Sequence, residues 1–160
     1  MKIKLIILLL IVFACKSEKE QNLDSEKKSE SAELLEGVAD IRCDQDVCLQ
    51  LRNHDLSNKT FDIYMQNSKP VAGFQCDFST IDITGSDEGL LKEHGYQTST
   101  NGARVLSFSM QAKLIEVGEG VLTKIIYSGD PNEICMTQII FAGAGANKLS
   151  NNLPDCISLQ

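Results

Sequence analysis

The stretch AGFQCDF, residues 72–78, places apolar side chains at every second position. Successive side chains of a β-strand point to opposite sides, so a period of two indicates a strand with one face in a core. A helix would instead need apolar residues three and four positions apart. The side chains that this pattern assigns to the core are Ala72, Phe74, Cys76 and Phe78.

The same period recurs along the chain from residue 47 onward. The run FDIYMQ, residues 61–66, places Phe61, Ile63 and Met65 on one face. Turn-forming residues separate the runs, as in SGDP at 128–131, and several short alternating strands spaced in this way indicate an antiparallel β-sandwich. One helical turn is predicted at 90–95, where Gly95 would end it. The fold class predicted is therefore all-β.

A third alternating run, RVLSFSM, lies at residues 104–110. Hydrophobicity alone assigns Leu106, Phe108 and Met110 to the core and leaves Ser107 and Ser109 facing solvent. This run thus predicts a further half-buried strand, with its large apolar side chains pointing inward.

Several of these segments together resemble the cohesin family. The motifs that carry the resemblance are NxxPVAGFQxD at 67–77, the later Gly95, VLxFS at 105–109 and IxxGxGxL at 115–122. The resemblance covers about residues 45–128. It implies a jelly-roll or immunoglobulin-like sandwich that is not an enzyme and that binds a partner through a flat sheet face. The implied partner is a dockerin-like protein, whose own calcium would be the metal involved; a polysaccharide is the other ligand expected of related sandwiches.

The N-terminus, MKIKLIILLLIVFAC, has the layout of a secretory signal peptide. Two early lysines precede an apolar run that is too short for a membrane span, which needs about 20 apolar residues. The sequence VFAC at 12–15 resembles a bacterial lipobox, which predicts a signal peptide at 1–14 and a lipid on the Cys15 thiol. The alternative is an ordinary signal peptide beside an incidental cysteine.

Residues 15–37 are rich in charge and contain little to bury, so they predict a disordered acidic linker. The folded domain is then expected at 38–160. An exported protein anchored to the bacterial cell envelope, at the outer membrane or the cell surface, follows from this layout. The formal net charge of −7 argues against a nucleic-acid partner, because phosphate binding needs excess basic residues.

Five of the six cysteines remain after Cys15 is set aside, so one must be unpaired. Cys76 lies on the apolar face of its strand, which favours a free, buried thiol. Cys43 and Cys48 flank a short loop and are predicted to form one disulfide, and Cys135 and Cys156 a second. Closing the second loop contributes about 3 kcal/mol in the chain-entropy model.

Alternation also predicts which polar side chains line the outside of the sheet. The candidate binding face comprises Asp62, Tyr64, Gln66, Gln75 and Asp77, provided that the two strands lie side by side. The acidic run DITGSDEG at 82–89 lacks the EF-hand pattern, which leaves a loose calcium loop or a solvated loop. No catalytic residues and no cofactor are predicted. The alternative function is a structural or adhesive envelope lipoprotein without a specific ligand.

Overall fold

The computed structural model describes residues 43–159, and within them the chain forms two antiparallel sheets packed face to face. The predicted signal peptide, Cys15 and the linker lie outside the described residues. The strands are β1 (Val47–Asp55), β2 (Thr60–Asn67), β3 (Val71–Ser79), β4 (Asp82–Asp87), β5 (Gln97–Asn101), β6 (Arg104–Phe108), β7 (Gly118–Ser128), β8 (Glu133–Gly143), β9 (Lys148–Leu149) and β10 (Ile157–Ser158). One helix, α1 (Gly89–Glu93), and a 3₁₀ turn (Ala144–Ala146) complete the described elements.

The strand order is that of a jelly roll. The four-stranded sheet runs β1-β2-β7-β4, the other sheet runs β10-β8-β3-β6-β5, and β9 also pairs with β8. The central orders 2-7-4 and 8-3-6 arise when two Greek keys fold over each other. The chain crosses between the sheets after β2, β3, β4, β6 and β7, so the two strands joined at each of these points lie in opposite sheets. The prediction of an all-β antiparallel sandwich is confirmed.

The core fills the space between the two sheets. Phe74 of β3 and Phe141 of β8 lie 4.9 Å apart between ring centroids, and Phe61 meets Phe78 edge-on from the other sheet at 5.5 Å. The inward sets predicted for β2 and β3 are buried, as expected. Ala72 is the exception and is only half-buried, because the pairing of β3 with β8 shifts register between residues 71 and 73.

The inward set predicted for β6 is wrong. Val105 and Ser107 are fully buried, whereas Leu106, Phe108 and Met110 are exposed. The register explains the reversal, since Ser107 pairs with the inward Phe74 of β3. The buried hydroxyl of Ser107 lies 2.8 Å from Thr98 Oγ1, so its polar group is satisfied inside the sandwich. A shift of one residue moves every side chain of a strand to the other face.

Helix α1 is the helical turn predicted from the sequence. Its end is closed by backbone hydrogen bonds from His94 N to Leu90 O and from Gly95 N to Lys92 O. Gly95 has a φ of +69°, a left-handed conformation that glycine adopts without steric cost. The helix thereby ends where predicted and leads directly into Tyr96 and β5.

Both predicted cysteine pairs lie at bonding distance. Cys43 is joined to Cys48, and Cys135 to Cys156 with 4.5 Å between their Cα atoms. The second bond ties β8 to the C-terminal segment, where β10 adds to the edge of the same strand. Cys76 is the free cysteine of the described residues, and burial raises the pKa of its thiol well above 9.0.

Candidate binding face on the six-stranded sheet

The structure divides the predicted binding residues between two opposite surfaces. Asp62, Tyr64 and Gln66 belong to β2 in the four-stranded sheet, whereas Gln75 and Asp77 belong to β3 in the other sheet. The three residues that join β2 to β3 carry the chain across the sandwich and do not form a hairpin. The expectation of a single face from these five residues is therefore corrected.

The outer side of β2 is occupied by contacts within the protein. The guanidinium carbon of Arg52 lies 3.7 Å from the centre of the Tyr64 ring, a cation–π geometry that covers this aromatic surface. Asp62 is only 6% exposed and accepts a hydrogen bond of 2.8 Å from Asn53 Nδ2. Neither side chain is presented to solvent as the alternation of β2 alone predicts, so this surface is a weaker candidate for recognition.

The outer side of β6, β3 and β8 instead presents apolar side chains. Leu106 pairs across Gln75 with Ile140, and the next row joins Phe108, Gly73 and Ala142. Leu106 and Ile140 are each 39% exposed, and Phe108 is 46% exposed. We call Leu106, Phe108 and Ile140 the apolar trio. Sequence reasoning missed it because it assigned Leu106 and Phe108 to the core.

An ion pair lies at one end of this surface. Arg104 donates from Nε and Nη2 to the two carboxylate oxygens of Asp77, at 2.6 and 2.7 Å. These hydrogen bonds lower the pKa of Asp77 below its ordinary value of 3.8. The two charges neutralise each other beside the apolar trio, and the paired guanidinium fixes the orientation of the carboxylate.

Few charges accompany the apolar trio. Three rows of paired residues run from β5 to β8: Asn101–Arg104–Asp77–Gln138, Ser99–Leu106–Gln75–Ile140 and Gln97–Phe108–Gly73–Ala142. Their charged residues are Asp77 and Arg104, which pair with each other. The polar residues of the rows are Gln75, Gln97, Ser99, Asn101 and Gln138. An apolar centre with an uncharged polar surround is the composition of protein interface cores, from which charged residues are depleted. We call these three rows the β6–β3–β8 face.

The acidic segment at 82–89 is engaged by lysines. Lys92 Nζ lies 2.6 Å from Asp87 Oδ1, and Lys124 pairs with Glu88. The contact with Lys92 lowers the pKa of Asp87. These carboxylates belong to separate ion pairs and are not gathered around a common centre. The expectation of a loop, whether solvated or calcium-binding, is wrong for residues 82–87, which form strand β4 and pair with β7.

A second cluster of metal-ligand type does not offer free ligands. Glu133, Cys135 and Cys156 lie close together, but both sulfurs are consumed in a disulfide. Thiolate, and not a disulfide sulfur, is the form of cysteine that binds metals.

The two histidines are also engaged outside any catalytic arrangement. His54 Nε2 lies 3.1 Å from Tyr127 Oη, and His94 Nδ1 lies 2.9 Å from Leu90 O. A base that activates a nucleophile needs a hydroxyl or thiol nucleophile within hydrogen-bond reach and in an accessible position. Tyr127 is 3% exposed, so its hydroxyl does not meet that requirement.

A broad open groove of about 880 Å³ lies away from the apolar trio, between the Cys43–Cys48 loop and the start of β7. Its lining combines acidic and amide side chains with Val117 and contains no aromatic ring.

Within residues 43–159, no helix has both the length and the apolarity that are needed to cross a bilayer.

No protein-family model matches the chain, and no curated protein matches it. Among solved structures, the chain is similar to the crystal structure of the CaDoc0917–CaCohA2 complex, with 12% sequence identity and a TM-score of 0.46. The similarity covers 71% of this chain and 99% of that chain. A likeness of this size identifies neither a family nor a partner.

Proposed function

We propose that this protein is a lipid-anchored, non-catalytic recognition module that binds a protein partner through the β6–β3–β8 face. The observation that carries the proposal is the exposed apolar trio. A solvated strand normally places polar side chains on its outer side. Here Leu106 and Phe108 of β6 and Ile140 of β8 lie on either side of β3 on one surface, where a partner can remove them from water at once.

The shape and chemistry of the face favour a protein over a polysaccharide. Small-molecule sites are concave, whereas this surface is the outside of a sheet. Phe108 is the aromatic residue of its three rows, and the chain contains no tryptophan. Apolar side chains surrounded by uncharged amides and hydroxyls match the core and rim of a protein interface.

The dimensions of the face set a limit on the partner. Four strands about 4.8 Å apart and three rows about 7 Å apart cover roughly 400 Å². A standard interface buries about 800 Å² on each partner. We therefore propose a partner that extends beyond Phe108 onto Met110, which is 74% exposed two residues further along the chain.

The sequence resemblance supplies the class of partner to test first, a dockerin-like module. Any calcium needed for binding would then be held by that partner, so a chelator should release the complex. Anchoring is part of the same proposal and rests on the lipobox at Cys15. The linker predicted at 15–37 would hold the module at the membrane while its β6–β3–β8 face meets the partner.

The test uses the full-length protein, purified in detergent, against purified dockerin modules and a glycan array. Two isoleucines provide a matched pair, because Ile140 and Ile126 are 39% and 38% exposed on opposite sheets. We expect dockerin binding that Ile140→Ser weakens at least about tenfold and that Ile126→Ser leaves unchanged.

Three results would contradict this function. An equal loss of dockerin affinity in Ile140→Ser and Ile126→Ser would show that the β6–β3–β8 face is not the binding surface. Glycan binding without dockerin binding would favour the polysaccharide ligand. Binding in neither panel would favour the structural envelope lipoprotein.

A further inference from the structure

A glycine lies at the third position of strand β3, on the β6–β3–β8 face. Gly73 pairs with Phe108 on one side and with Ala142 on the other. Glycine inside a strand weakens it, and such a residue often marks a bulge or a place where another molecule approaches closely. The reason for this glycine can therefore be sought in the backbone, in the packing or in a contact outside the chain.

Gly73 lies beside the register shift of β3 against β8 between residues 71 and 73. Neither its backbone conformation nor its packing, however, requires glycine. Gly73 is absent from the residues of positive φ, so an L-amino acid can adopt its conformation. A Cβ built on it would meet Ser107 O at 3.5 Å and Ala142 Cβ at 3.8 Å, both ordinary contact distances. By contrast, a Cβ on Gly89 would lie 2.5 Å from Val121 O, where glycine is required.

The neighbouring aromatic ring does not cover the glycine either. A phenylalanine can pack its ring over a glycine on the adjacent strand and so replace the missing side chain. Apart from its neighbours in the chain, the atoms within 4 Å of the Cβ position belong to Ser107 and Ala142, and none belongs to Phe108. The space above Gly73 is therefore open on the outer side of the sheet.

This open space has apolar surroundings. Adjacent strands lie about 4.8 Å apart, so the backbones at Phe108 and Ala142 are roughly 10 Å apart, with the Gly73 backbone between them. Ile140, from the next row of β8, lies on the same face and is 39% exposed. We call the space bounded by Phe108, Gly73, Ala142 and Ile140 the Gly73 socket.

We propose that the Gly73 socket receives one apolar side chain of the protein partner, of leucine, methionine or phenylalanine type. This inference rests on the proposed function and adds to it the point of closest approach. Because glycine has no side chain, Gly73 leaves room for this side chain of the partner and so determines specificity. Buried apolar anchors that fill pockets near the centre of an interface carry most of its binding energy.

The socket can be tested without knowledge of the partner. The probe is indole, titrated into the isotope-labelled full-length protein while amide chemical shifts are recorded. The variant is Gly73→Leu, which fills the socket, with Gly73→Ala as a smaller change that the fold accommodates. The matched control is Gly118→Leu, because Gly118 is a strand glycine of the other sheet with nothing within 4 Å of its Cβ position.

We expect indole to shift the amides of Gly73, Phe108 and Ala142 in the wild type and in Gly118→Leu. Gly73→Leu should weaken this binding at least about tenfold, and Gly73→Ala should weaken it less. Thermal unfolding should show that Gly73→Ala is at least as stable as the wild type.

Indole shifts confined to other residues, or unchanged in Gly73→Leu and Gly73→Ala, would overturn the socket. A dockerin that loses affinity on Ile140→Ser but not on Gly73→Leu would leave the face in place and also overturn the socket. The failure of the inference is thus distinct from the failure of the proposed function.

Discussion

The hydroxyl of Tyr96 lies 2.8 Å from the carbonyl oxygen of Val71 and so joins the segment after helix α1 to the start of strand β3. The same hydroxyl lies 2.9 Å from Lys113 O, in the segment that connects β6 to β7. The backbone of Ile115 in turn exchanges two hydrogen bonds with Val71. Tyr96 thus fastens the loop that carries Met110 to the strand that carries Gly73.

Tyr96→Phe should lower the free energy of unfolding by about 1 kcal/mol, because a buried hydroxyl loses its partners without a large change of volume. The amide of Ile115 should also exchange faster with solvent. Urea denaturation and hydrogen exchange measure the two effects. Tyr64→Phe is the control, because Arg52 contacts the ring of Tyr64 and the substitution keeps that ring. Equal losses of stability in the two variants would show that the hydroxyl of Tyr96 has no special role.

Alanine substitutions at 105 and 106 test which side of β6 faces the core. Val105→Ala should cost about 2 kcal/mol of stability, because it opens a cavity in a fully buried position. Leu106→Ala should change stability by less than about 0.5 kcal/mol, as surface substitutions usually do. Denaturant unfolding measures the free energy of unfolding of both variants. A larger loss for Leu106→Ala would restore the inward orientation that hydrophobicity alone predicts.

The thiol of Cys76 should be unreactive in the native protein. Burial raises its pKa well above 9.0, and the thiolate is the reactive form. Ellman's reagent is expected to detect no thiol in the folded mature protein, in which Cys15 is acylated, and one in the same protein denatured without reduction. Peptide mapping without reduction should then recover Cys43 with Cys48 and Cys135 with Cys156. A mapped disulfide that includes Cys76 would contradict the pairing.

Acid should weaken the fold partly through Asp77. Arg104 lowers the folded-state pKa of this carboxyl below 3.8, so its contribution to stability is present above that pH and is lost as pH falls through the folded-state value. Asp77→Asn should therefore show a shallower decrease in melting temperature below pH 4 than the wild type. Arg104→Gln should give a similarly shallow decrease. Parallel curves for all three proteins would exclude this contribution.

Lipidation at Cys15 stays a prediction, since that residue lies outside the described part of the chain. Mass spectrometry of the mature protein should find an acylated N-terminal cysteine. Cys15→Ser should accumulate as an unprocessed precursor, because the lipobox cysteine is the modified group. A mature N-terminus at another residue, or an unmodified cysteine, would contradict the anchor.

The alternation of side chains was enough to predict the class of fold, most of the strands and the inner faces of β2 and β3. These features depend on local chemistry, because a period of two requires burial on one side wherever the strand is placed. The cysteine pairs also followed from local properties, namely loop length and the apolar setting of Cys76. In β6 the same reasoning chose the wrong side, since a serine is buried there beside a hydroxyl partner from β5.

The candidate site depended on tertiary structure. Whether Asp62 and Asp77 share a surface is decided by the three residues after β2, which cross the sandwich instead of turning back in the same sheet. The apolar trio exists only because β6, β3 and β8 are neighbours, although Leu106 and Ile140 are far apart in sequence. The period of two along a strand indicates that the strand has an inner and an outer face. The strand order and the register decide which face is inner and which residues its side chains contact.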